Sequence, residues 1–596
     1  LVYRSGGIIS RNQAPEPIEA SPDPITANPN LTNRTISRKS ADLRREIIMR
    51  VSKPIQFLGW SFCLSVLVAT STFARPLSWN EKRNDLDQIF AMIESGYGPL
   101  EFKASRLGVT TTGLRKKYEP LVLSTSSNRD FYYSIVQLIA EFQDGHFSAS
   151  VPSQLSASLP LVADWIEGKV LIDQIDLSKF PAGTPELKKG DEIVAIDGKP
   201  ALEVVKSLEP YIAMANPQSK TRIATMALFS RSGARLPVPA PGKVSIQVQK
   251  AATGETVLVE LTWKISGEAI DENALLPSFD ASSSKASSSA AALELSSRDI
   301  LEGYLPKKAL ERSFRCSGKT RIAPPDDATV LMTDPFVAYF FPTPKGNLGY
   351  LRIPHYSPQD PVTGATLFRE TFAQYQWAVR ELEKNTVGLI IDQDHNCGGS
   401  VDYMESLVGL FVDRPYAGLE FQFRASKPEY LAFRGYALSS TPNTIEQETL
   451  FQVASIIRKA WDSGQFLTEK TTFNAGHLLS PNAEVRYTKP IVILIDEMSG
   501  SGGDAFPALM QGYGRAKLIG SATMGLGGHV QEQPALGSSG IRIRMTRSLF
   551  FRPDGVPVEN NGAVPDYPYT ITREDFTNGY QGYLTFAISK LFESLP

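Results

Sequence analysis

No stretch limits the fold of this chain more than Pro490 to Val530, PIVILIDEMSGSGGDAFPALMQGYGRAKLIGSATMGLGGHV. Pro490 to Ile495 is a short apolar run, bounded by turn residues, and reads as a buried strand. Ser499-Gly500-Ser501-Gly502-Gly503 is a turn of small residues. Apolar residues at helical spacing follow from Asp504 to Tyr513, and Lys517 to Ser521 reads as a second strand. Strands alternating with helices imply a sheet covered by helices. A serine on a sharp strand-to-helix turn stands at the rim of such a sheet. There the helix N-terminus supplies free N–H groups and positive potential, which suits a nucleophile. The competing reading of the same residues is a helix N-cap.

The stretch resembles the C-terminal processing and tricorn-type serine peptidases of the S41 type. Ser501 falls on their nucleophile and Asp504 on the acid three residues later. Gln511, Tyr513, Gly514, Arg515 and Ala516 match the segment beyond the helix. One element departs. The Ser-Lys branch carries its base in an F-G-K-G element, which here reads Met524-Gly525-Leu526-Gly527. Leucine takes no proton, so the base comes from elsewhere or the site is inactive.

Two further motifs resemble the tricorn-type branch. Asp144-Gly145-His146 ends an amphipathic run, Phe131 to Phe142, and the resemblance implies His146 as the base. Asp554 to Asp566 contains Glu559-Asn560 and a later Pro565-Asp566, and Glu559 lies 58 residues after Ser501. Asp392 to Gly399 resembles a D-x-R-x-N-x-G-G turn with Asp394 in the arginine position. The resemblance implies an oxyanion hole from the N–H groups of Gly502, Gly398 and Gly399. It also implies an α/β (α+β, multidomain) chain with a crotonase-like or ClpP-like core. His395 with Asp392 and Asp394 could suggest a metal site, but no partner cluster accompanies them.

Around these motifs the chain divides as follows. Residues 1–48 are polar and read as disordered or upstream of the true start. Residues 49–74 have the basic, apolar and small-residue regions of an export signal, with cleavage after Ala74. Residues 75–157 are helical and carry His146. Residues 158–266 resemble a PDZ module through Leu187 to Gly198, L-x-x-G-D-x-I-x-x-I-D-G. Residues 267–300 contain a run of Ser and Ala that reads as a linker open to nicking, and 301–596 form the peptidase core. Pro415 to Val485 reads as an insertion with one helix, Ile445 to Trp461. Ile541 to Phe551 reads as one strand and Arg573 to Leu595 as one helix.

With 596 residues, a formal charge of −2 and 42% hydrophobic residues, the chain reads as a multidomain globular protein. Its basic residues form no long run, so no nucleic-acid partner is implied. After signal cleavage no membrane span remains, and the protein reads as exported, to the periplasm or beyond the cell. Of three cysteines, Cys63 leaves with the signal; Cys316 and Cys397 allow one bridge, which makes no disulfide scaffold, and Cys397 reads as a small filler in its turn.

The resemblance thus implies a secreted serine endopeptidase acting on protein or peptide substrates. Ser501 attacks, His146 is the base, Glu559 orients it, and no cofactor or metal takes part. A homodimer is compatible with this reading. A nearby Glu559 would move the His146 titration upward from about 6.5. The alternative is a non-catalytic peptide- or ligand-binding protein on the same fold.

Overall fold

The computed structural model describes residues 76–268, 270, 295–296, 300–301, 303–312, 315–360 and 362–595. The export signal, the segment before it and most of the Ser/Ala stretch lie outside the described residues. Among the described residues no helix is long and apolar enough to cross a membrane.

The described chain opens with four helices, Trp79–Gly96, Leu100–Leu107, Thr111–Leu123 and Asn128–Ala140. Ser78, Thr110 and Ser127 cap three of them through their hydroxyls, satisfying first-turn N–H groups. Leu86, Phe90, Ile93, Phe131 and Ile135 form one core with Ile541, Ile543 and Met545 from far along the chain. The strand Ser148–Ser150, just after His146, pairs with Arg542–Thr546. The His146 turn is thereby fastened to the C-terminal half.

The PDZ-like module is an antiparallel sheet of Leu161–Ile166, Lys169–Ile175, Glu192–Ile196, Lys243–Gln249 and Thr256–Thr262. Val244, Ile246 and Val248 point inward and their neighbours outward, as period-two alternation requires. Its apolar core does not stop at the module. It runs into Ile300, Leu301, Tyr304 and Leu305 and reaches Met498, Met524 and Leu526 beside the Ser501 turn.

The main sheet has seven strands, in the order Thr329–Met332, Ala338–Phe341, Leu348–Arg352, Gly388–Asp392, Ile491–Ile495, Lys517–Gly520 and Tyr567–Pro568. From Leu348–Arg352 onward the pairs are parallel. Gly388–Asp392 and Ile491–Ile495 are buried along their whole length, which explains their unbroken apolar runs. The crossover helix Phe368–Asn385 covers one face and Gln581–Glu593 the other. These are mixed helices and sheets in several packed units, in agreement with the α/β, α+β multidomain reading.

Three local expectations are corrected. Ile541 to Phe551 is two strands, Arg542–Thr546 and Ser548–Phe551, broken at Arg547. That arginine is buried on Glu429 (Nε to Oε2 2.8 Å), and the second strand joins a different sheet, against Glu420–Phe423. The tail is two helices, Arg573–Thr577 and Gln581–Glu593, parted where Gly579 and Tyr580 take positive φ. The insertion has a second helix, Lys427–Ser439. Only Glu429, Phe433 and Ala437 of it are buried, a stripe one residue wide that leaves little apolar period to read.

Candidate active site

Two neighbouring parallel strands deliver the site. Gly388–Asp392 and Ile491–Ile495 end side by side, and the turns leaving their C-terminal ends face each other, where open parallel sheets place ligands. The Gly500 N–H donates to the Asn396 carbonyl (3.0 Å), tying the turns together.

The serines of the second turn have different fates. The Ser499 hydroxyl is shared between the Gln393 carbonyl (2.7 Å) and Asp496 Oδ1 (2.8 Å), so it is a brace. Ser501 is buried, with φ +62° and ψ −114°, a conformation costly for a residue with a Cβ. Its hydroxyl has no hydrogen-bond partner. It therefore caps nothing. Asp504 reaches back instead and accepts from the Ser501 N–H (2.6 Å). Asp504 also accepts from the N–H groups of Gly525 (2.8 Å) and Leu526 (3.0 Å) and from the Thr523 hydroxyl. Burial pushes its carboxyl up to about 6, against these four bonds. The acid three residues after the serine thus clamps the 523–526 loop onto the start of the helix Gly502–Gly512.

His146 is fully buried, and no side chain partners its ring nitrogens. The Asp144 side chain accepts from the His146 backbone N–H (2.9 Å) and from the Tyr97 hydroxyl (2.9 Å), which fixes the turn. Burial takes the imidazole down to about 3. The Asp144 charge and a hydrogen bond to the Gly528 backbone oppose this, and Arg544 and His529 add to it. The expected upward shift is thus reversed: a carboxylate can be read from sequence, but the loss of solvent outweighs it.

Leu526 shows how close the two turns lie. A Cβ on Gly145, just before His146, would meet Leu526 Cδ2 at 2.7 Å. A Cβ on Gly500, just before Ser501, would meet Leu526 Cδ1 at 2.9 Å. One leucine side chain spans the residues preceding the serine and the histidine, at the position where the Ser-Lys branch has its lysine.

Glu559 is buried too. Its Oε2 accepts from the Gly527 N–H (3.0 Å), and its Oε1 accepts from Asn560 Nδ2 (3.1 Å) and is paired with the Lys103 ammonium. Burial and the Asp144 charge push the carboxyl upward, and Lys103 and Gly527 oppose them. Lys103 was not singled out from sequence. Nothing in the helix Leu100–Leu107 marks it apart from an ordinary surface lysine.

Among the oxyanion candidates, Gly502 opens its helix, so its N–H belongs to a first turn without intrahelical acceptors. A Cβ there would lie 2.7 Å from the Tyr356 ring and 3.2 Å from Gly398 Cα, so the two glycines approach closely. The Gly398 N–H is held by Asn396 Oδ1 (2.8 Å). Gly398–Gly399 forms an antiparallel pair with Leu295–Ser296, at the far end of the Ser/Ala stretch.

The first turn is braced from outside. Cys397, read as a filler, is disulfide-bonded to Cys316. Asp394 stands in the arginine position, yet a guanidinium still supports the turn: Arg352 Nη1 donates to Asp392 Oδ1 (2.9 Å) and to the Asp394 carbonyl (2.7 Å). His395 lies against Asp496 (Nδ1 to Oδ2 2.5 Å) rather than beside Asp392. Among the described residues no group of three or more His, Cys, Asp or Glu is arranged to hold a metal ion.

Comparison with known proteins agrees with this layout. Residues 347–569 match peptidase family S41, and residues 155–273 match a PDZ domain. A Chlamydia pneumoniae protein is 26% identical over 594 residues, 89% of this chain and 94% of that one. The carboxy-terminal-processing protease of Bartonella bacilliformis is 22% identical over 244 residues, 40% of this chain and 42% of its own. The crystal structure of mature CPAF shares the fold, with a TM-score of 0.71 at 21% identity over 86% of this chain and 98% of that one. The chain thus carries a peptidase family S41 region at residues 347–569, with a PDZ domain at residues 155–273 ahead of it.

Proposed function

We propose that the protein is an exported serine endopeptidase that hydrolyses peptide bonds of protein or peptide substrates through Ser501, His146 and Glu559. One observation carries the reading. A strained, buried serine whose hydroxyl has no partner and a buried histidine with no side-chain partner follow Gly500 and Gly145, two glycines that lie against the two methyls of Leu526. An unpaired buried polar group costs about 1–3 kcal/mol. A nucleophile awaiting a substrate accounts for such a group at Ser501.

In this reading Ser501 Oγ attacks the peptide carbonyl and His146 takes its proton. His146 is neutral at ordinary pH, as a base must be. It then returns the proton to the leaving amine, and water repeats the sequence on the acyl-enzyme. The oxyanion is received by the Gly502 N–H with that of Gly399, since the Gly398 N–H is held by Asn396. Leu295–Ser296 pairs with the strand that an extended substrate would use, so that segment gives way before substrate binds. The Asp144 charge favours the imidazolium as it forms.

Ser501→Ala should reduce turnover on a fluorogenic peptide by on the order of a millionfold while leaving the fold intact. A rate near that of the wild type would overturn the assignment.

A further inference from the structure

In the eight-residue helix Leu100–Leu107 the one buried residue is a lysine. Lys103 has no exposed side-chain surface, which a lysine almost never reaches unless it is paired. Its ammonium has three hydrogens and three acceptors: Glu559 Oε1, Asn560 Oδ1 (2.7 Å) and the Gln143 carbonyl (3.0 Å). Asn560 Nδ2 closes the figure by donating to that same Gln143 carbonyl (2.8 Å) and to Glu559 Oε1 (3.1 Å). Gln143 and Asn560 both have positive φ, so each loop is held in a conformation it would not keep by preference.

We infer that Lys103 is a positioning residue for the reaction: it joins the loop carrying Glu559 to the turn carrying His146 and sets a positive charge against the Glu559 carboxylate. The inference rests on the Ser501–His146–Glu559 reading above. The physical need is plain. Glu559 and Asp144 are two buried carboxylates, and the Asp144 charge raises the proton affinity of Glu559. Without a cation beside it Glu559 would hold its proton more tightly still. Glu559 would then no longer offset the charge that His146 acquires. Lys103 supplies that cation and contacts neither Ser501 nor His146 in the structure, so it acts through Glu559.

The test is a double-mutant cycle on kcat/KM with one peptide substrate: wild type, Lys103→Met, Glu559→Gln and the double variant. Each single variant should lose on the order of 100-fold. The double should equal Glu559→Gln within about threefold, because Lys103 has nothing left to position. In Lys103→Met the rise of activity with pH should lie at higher pH than in the wild type, because Glu559 loses the cation that favours its ionised form. Wild-type activity in Lys103→Met, or single losses that multiply in the double variant, would overturn the inference and leave the triad standing. Wild-type activity in Glu559→Gln would remove the triad reading itself, and the inference with it. Should Lys103→Met fail to fold, the double variant, which lacks both charges, is compared with Glu559→Gln alone. Equality supports the inference, and a further tenfold loss or more contradicts it.

Discussion

In Glu559→Gln, whose own raised carboxyl no longer titrates, lowering the pH from about 7.5 to about 5 should leave kcat/KM nearly unchanged. Only a neutral imidazole can accept the Ser501 proton. An exposed histidine, with pKa about 6.5, would be about 90% neutral at the upper pH and about 3% at the lower, an about 30-fold loss. His146 is different because burial takes it down to about 3, with Arg544 and His529 acting in the same direction and Asp144 against them. At about pH 5 it would still be about 99% neutral. Asp504 titrates inside this range, at about 6. A protonated Asp504 keeps one carbonyl oxygen for the Ser501 N–H, so its titration should cost no more than about threefold. The assay is initial rates well below KM across this range, with circular dichroism confirming the fold at each pH. A loss of tenfold or more with a midpoint near 6.5, in a folded protein, would show that the base is a solvated histidine. A rise that begins only above about pH 8 would point to a lysine.

Two other perturbations follow. Leu526→Lys should not rescue His146→Ala, because Leu526 is packed among Met214, Met498 and Met524, and an unpaired ammonium there should destabilise the protein by about 3 kcal/mol or more. Urea denaturation and peptide turnover read both effects, and recovery at alkaline pH would mean that the Ser-Lys arrangement persists. Cys316→Ser should lower stability by about 4 kcal/mol, since the bond closes a loop of 81 residues next to the Gly398 turn. Denaturation with and without reductant measures this, and equal midpoints would show that the bond contributes nothing.

What could be read from sequence was local. The strand–turn–helix around Ser501 and the turn ending in Gly398-Gly399 are contiguous, so their spacing alone carries them. His146 and Glu559 were reachable because each lies in a short motif. Lys103 was not, because its burial depends on a glutamate 456 positions later in the chain. The Cys316–Cys397 bond was open from sequence only as a possibility, as one partner sits in a segment without a motif. The direction of the His146 shift was misjudged because sequence reveals a neighbouring carboxylate and not the absence of water. The occupied N–H of Gly398 depends on the Asn396 rotamer, which spacing does not encode.

The central claim is that Ser501 is a nucleophile activated by His146. The most direct measurement is mass-spectrometric mapping of a fluorophosphonate adduct in the wild type and in His146→Gln. The account predicts an adduct on Ser501, none on Ser499, whose hydroxyl is held by Gln393 and Asp496, and a labelling rate reduced by about 100-fold or more in His146→Gln. Labelling of Ser499 in place of Ser501, or labelling of Ser501 at an equal rate in both proteins, would contradict it.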